Sequence, residues 1–227
     1  MRARCLIFGL LLLRAGTTFG GELLDRMFAS VNGHVILQSD WEDELRYESF
    51  MAGRQIESLS SANGKAALDR LIDQELIVEQ MRASEIKPPA AEEINQHLEE
   101  VKADYVRDKN AEKWNRALSE YELSENDIRK HIALELTQLR LIDARLRPSI
   151  QIDAPAVADY YRNQFLPELT RSGAKQVSLQ QATPKIREIL TQQEMNRMLA
   201  SWLEGLRSQA QIQWFVSEPG KPQGPNQ

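Results

Sequence analysis

Three histidines, several paired carboxylates, scattered serines and one cysteine are the side chains here with types suited to chemistry. Two imidazoles one helical turn apart would hold zinc, but His34 follows an Asn-Gly pair and His97 and His131 fall on separate helical stretches. Glu92-Glu93 and Glu99-Glu100 are adjacent in sequence, and adjacent helical residues point to different faces, so they read as solvated surface and not as an acid–base dyad. No serine stands in a Gly-x-Ser-x-Gly setting and no glycine-rich phosphate loop occurs. Cys5 is the only cysteine and sits in an apolar run near the start; the rest of the chain has no thiolate nucleophile, disulfide or sulfur ligand. The reading is therefore of no catalytic, cofactor or metal residues. What remains is apolar surface. Trp41, Phe50, Met51, Trp114, Met195 and Met198 are the candidates for gripping extended apolar segments, methionine because its thioether adapts to varied shapes. The competing assignment for each is ordinary core.

Bulk composition narrows the classes. Apolar residues make up 42% and charged residues 27% of 227, a globular balance. Three of the 28 basic residues (Arg2, Arg4, Arg14) lie in the first 20 positions, where no acid occurs; the remainder carries 25 basic against 33 acidic side chains, or −8. Nucleic-acid binders usually show a basic stripe, and an anionic membrane surface attracts basic ones, so neither partner is expected. Arg2 and Arg4, then the apolar run Cys5–Leu13 and the small residues near Gly20, have the form of a secretion signal. The run is too short to span a bilayer. Residues 1–20 are expected to be that signal, 21–217 one domain and 218–227 a disordered tail rich in proline and glycine.

The elements follow from spacing. Asn32-Gly33 between apolar runs predicts a β-hairpin, Met27–Val31 against His34–Leu37. Ser39 with Glu42 predicts a capping box for a helix carrying Trp41, Leu45 and Phe50, followed by a loop over Ser58–Gly64. Ala67 through Met81 recur at three- and four-residue steps, a strong amphipathic helix. Pro88-Pro89 is expected to end it and start the next, whose stripe is Ile94, Leu98, Val101 and Tyr105. Trp114, Leu118 and Tyr121 predict a short helix. Ser124 with Asp127 caps a long one bearing Ile128, Ile132, Leu136, Leu139, Ile142 and Leu146. An extended piece over Ser149–Ile152 leads to a helix over Ala156–Phe165, and a loop over Pro167–Lys175 to a final helix near Leu179–Ala210. Gln211–Val216 reads as a strand. A lone strand needs a partner edge, and the N-terminal hairpin is the only one on offer. Gln211–Val216 is therefore expected to pair with Met27–Val31, giving a mainly α fold closed by a small sheet.

Phe28 to Asp40, with its Asn-Gly turn and Ser-Asp helix start, resembles the opening of the SurA family of bacterial chaperones. Leu71-Ile72-Asp73-Gln74-Glu75-Leu76-Ile77, Leu118–Arg147, Ile152–Tyr161 and Ile186–Arg207 are similar, in order, to that family's successive helices. The resemblance implies a SurA-like helical core and a periplasmic chaperone that holds unfolded polypeptides, such as outer-membrane proteins in transit. One departure stands out. The family usually carries prolyl-isomerase domains of about 100 residues before the C-terminal helix, a normal size for a domain. Here only Leu166–Val177 occupies that place. A holdase without isomerase activity is expected, against two alternatives: an isomerase-like protein, or a dedicated adaptor for one secreted partner, as a monomer or a homodimer.

Overall fold

A computed structural model describes residues 25–54, 61–105 and 111–215. The expected signal segment and C-terminal tail lie outside the described residues.

The chain begins with β1 (Met27–Val31) and β2 (His34–Leu37). Asn32 and Gly33 both take positive φ, 49° and 89°, the turn that Asn-Gly favours. Helix α1 (Gln38–Met51) follows without a linker. Its cap lies two residues earlier than expected, at Leu37. Asp40, not Glu42, accepts from the Leu37 N–H at 2.8 Å, and the Ser39 hydroxyl is drawn away to Asp25. Trp41 then donates its indole N–H to the Gly64 carbonyl at 2.8 Å. Gly64 belongs to α2 (Ser61–Arg82), so the expected loop over Ser58–Gly64 is already helical from Ser61; a tertiary contact outweighs the weak helix preference of Ser-Ala-Asn-Gly.

Helix α2 ends well before the prolines. Ser84 turns back on the Met81 carbonyl through both its N–H and its hydroxyl. Pro88-Pro89 thus lies in an extended connector, not at a helix start, and α3 (Ala91–Tyr105) begins after it. Helix α4 (Ala111–Glu120) precedes α5 (Glu125–Leu146). The α5 cap is as expected: Ser124 Oγ accepts from the Asp127 N–H, and Asp127 accepts from the Ser124 N–H at 3.0 Å.

The greatest departure follows. Arg147–Ser149 forms a 3₁₀ turn around Pro148, which takes in only Ser149 of the expected extended piece, and Ile150 beyond it is extended. Asp153 caps α6 (Ala154–Tyr160), which runs through a π turn (Tyr161–Phe165) into α7 (Leu166–Ser172). The expected loop over Pro167–Lys175 is therefore helical to Ser172, and Gly173 ends it at φ 67°. Proline in a helix lacks one donor and crowds the preceding turn; the wider π turn just before Pro167 relieves both.

Helix α8 (Leu179–Gln209) is about 46 Å long at 1.5 Å per residue. It delivers β3 (Ile212–Trp214) to the hairpin. The sheet order is β2-β1-β3, antiparallel throughout, with Ala29 opposite Trp214 and Val31 opposite Ile212. The expected closure of the two chain ends is thus present, with a shorter strand. Arg207 fastens α8 to α2, donating to Asp73 at 2.5 Å and to the Asp69 carbonyl at 2.8 Å.

Three apolar clusters result. The first joins sheet, α1 and α2 around Phe28, Val31, Trp41, Leu68 and Ile72. The second gathers Phe50, Leu98, Trp114, Leu118 and Ile128 from α1, α3, α4 and α5. The third is small, around Val157, Ala182 and Ile186. Helix α8 spans from the third to the first, and among the described residues no helix is long and apolar enough to cross a membrane.

Candidate binding groove and acidic seam

Four of the six apolar candidates are core. Trp41, Phe50, Trp114 and Met195 are buried, which corrects the expectation that they are left over after the core is filled. Both tryptophans satisfy their N–H inside, Trp114 by donating to Glu125 at 3.2 Å, and Phe50 is ringed by Tyr105, Trp114 and Tyr121. Met51 is exposed at the end of α1 and Met198 is half-buried on α8. The six do not converge.

The apolar surface lies elsewhere. Between α5 and α8 runs a groove of about 450 Å³, with Leu136, Leu139 and Ile142 on one wall and Gln192 and Met195 on the other. Leu139 is 59% exposed, more than any other large apolar residue described. The rim is charged but internally paired: Arg140 bonds Glu93 and the Lys87 carbonyl, and Arg147 bonds Asp143. An apolar floor inside a neutralised polar rim receives apolar side chains without demanding one charge of them. Sequence reading placed Leu139 in a core stripe. The available signal was the width of that stripe: α5 also buries Leu141, so its apolar positions exceed one face.

A second feature is polar. His34, Asp40, Asp43, Glu44, Glu75 and His131 line a cavity of about 250 Å³ where β2, α1, α2 and α5 meet. The fold thus brings two histidines together that lie far apart in sequence. Among the described residues no group of three or more His, Cys, Asp or Glu side chains is arranged to hold a metal ion. His131 stacks on Tyr47 at 3.8 Å, and Tyr47 donates to Glu135 at 2.9 Å. Burial holds His131 below the usual imidazole range and, helped by Glu135, pushes the Tyr47 phenol up. Glu44 is pushed up to about 7, first by burial and then by Glu48, with Glu135 adding and Arg70 opposing.

This makes stability pH-dependent in a defined direction. A carboxyl at about 7 in the fold against 4.5 unfolded contributes stability below 4.5 that disappears as pH rises through 7. His131, held low, does the reverse and contributes above its unfolded value. Glu44→Gln is therefore expected to match the parent closely in thermal melts at about pH 4 and to exceed it by about 3 kcal/mol at about pH 8. A stability difference unchanged between those pH values would contradict the assignment.

No family model matches this chain, and no curated protein matches it.

Proposed function

We propose that this chain is a holdase: it binds exposed apolar segments of unfolded polypeptides, keeps them from aggregating, and carries out no bond chemistry. The observation that carries the reading is the open groove between α5 and α8, with Leu139 exposed on one wall and Gln192 beside the buried Met195 on the other. The signal-like segment at residues 1–20 and the cysteine-free remainder support action in the periplasm, on proteins such as outer-membrane proteins in transit. The net negative charge favours solubility of a loaded complex. The short stretch from Gly173 to Ser178 between α7 and α8 supports the reading without an isomerase domain.

Binding to reduced, carboxamidomethylated lysozyme, which cannot refold, tests the proposal. Fluorescence anisotropy of the labelled lysozyme is expected to give a dissociation constant of about 1–10 μM, near −7 to −8 kcal/mol, tight enough to hold and weak enough to release. Native lysozyme is expected not to bind. Equal binding of native and unfolded lysozyme, or acceleration of proline-limited refolding by the chain, would point away from a holdase.

A further inference from the structure

The ladder between β1 and β3 leaves half of the β3 backbone facing outward. The Asn32 N–H donates to the Gln211 carbonyl at 2.9 Å, and the Phe215 N–H donates to the Phe28 carbonyl at 3.0 Å. Ser30 and Gln213 stand opposite each other between these pairs. Antiparallel alternation then turns the N–H and C=O groups of Ile212 and Trp214 away from β1. No described residue pairs with them, because β3 ends the order β2-β1-β3.

Edge strands are usually closed by a lysine, a proline or a bulge. Ile212-Gln213-Trp214 has neither charge nor proline, and its register against β1 is regular. Beside it stand Trp214, 48% exposed, and Phe215, 43% exposed. Donors and acceptors at a two-residue repeat fit an extended backbone whatever its side chains, and the rings add apolar contact that tolerates many sequences.

We propose that the outer edge of β3 takes up an extended segment of unfolded polypeptide as a fourth strand. The inference rests on the holdase reading and specifies how backbone is gripped apart from side chains. A second copy of the chain fits less well, since it carries the same formal charge of −5 and repels its like at low salt; an unfolded segment of neutral or basic character meets no such opposition.

The test uses the full chain with the same unfolded lysozyme. At saturation, amide hydrogen exchange at Ile212 and Trp214 is expected to slow by about tenfold or more, with little change at Gln213, which is already in the ladder. Trp214→Pro removes an outward N–H and leaves the bonds to β1 intact, whereas Trp214→Val removes the ring and keeps the N–H. The proline variant is expected to bind about tenfold more weakly than the parent and the valine variant about threefold. Unslowed exchange at both amides overturns the proposal, and this measurement on the parent stands even if the proline variant does not fold. Slowing that depends on the chain's own concentration without lysozyme overturns it in favour of self-association. Undiminished binding by the proline variant removes the edge and leaves the holdase reading, while absence of binding by the parent removes both.

Discussion

Phe50→Ala is expected to cost about 3–5 kcal/mol of folding free energy, and Met51→Ala, one residue on, less than about 0.5. Phe50 is fully buried, stacked on Tyr105 at 4.3 Å and edge-on to Trp114 and Tyr121 at 5.7 and 5.6 Å. Its removal leaves a cavity at the point where α1, α3, α4 and α5 meet. Three aromatic pairs are lost with it, each worth about 0.5–1.5 kcal/mol beyond area burial. Total stability of a domain is about 5–15 kcal/mol, so the variant approaches unfolding at 37 °C. Met51 is exposed and fills nothing. Denaturant titration of both variants checks the contrast, and a Phe50→Ala loss below about 1 kcal/mol would contradict the packing described.

The other large effect belongs to binding. Leu139→Glu places a charge on the wall of the groove and is expected to weaken binding of unfolded polypeptide by about tenfold or more, equivalent to about 1.4 kcal/mol. Stability is expected to stay within about 0.5 kcal/mol, because the side chain already faces water. Leu139→Met keeps an apolar, flexible side chain and is expected to retain binding. A structural role for Leu139 would instead move stability in both variants. Anisotropy titrations paired with thermal melts separate the two cases. Loss of affinity in the glutamate variant alone is the predicted pattern; equal affinity in parent, glutamate and methionine variants would show that the groove takes no part.

The framework was legible wherever chemistry is local. Asn32-Gly33 specifies its turn by tolerance of positive φ, and Ser124 with Asp127 caps α5 through groups three residues apart. The return of β3 to β1 was legible too, since an unpartnered strand has few places to go. Pro167 misled because proline usually marks a loop, and only the adjoining π turn lets the helix continue. The candidate site was less legible for a different reason. Helical period tells which residues share a face but not whether another element covers it. Trp41 and Leu139 look equally apolar in sequence; α2 meets the first through Gly64, while the groove between α5 and α8 leaves the second open. The raised Glu44 carboxyl was invisible for the same reason, as it depends on neighbours from α1, α2 and α5 together.

Holding unfolded polypeptide is the central claim, and light scattering of an outer-membrane-type β-barrel protein diluted from urea tests it most directly. The full chain is predicted to suppress aggregation substantially at one to a few molecules per client, with the Leu139→Glu variant clearly weaker. Undiminished scattering at large molar excess of the parent chain would contradict the claim.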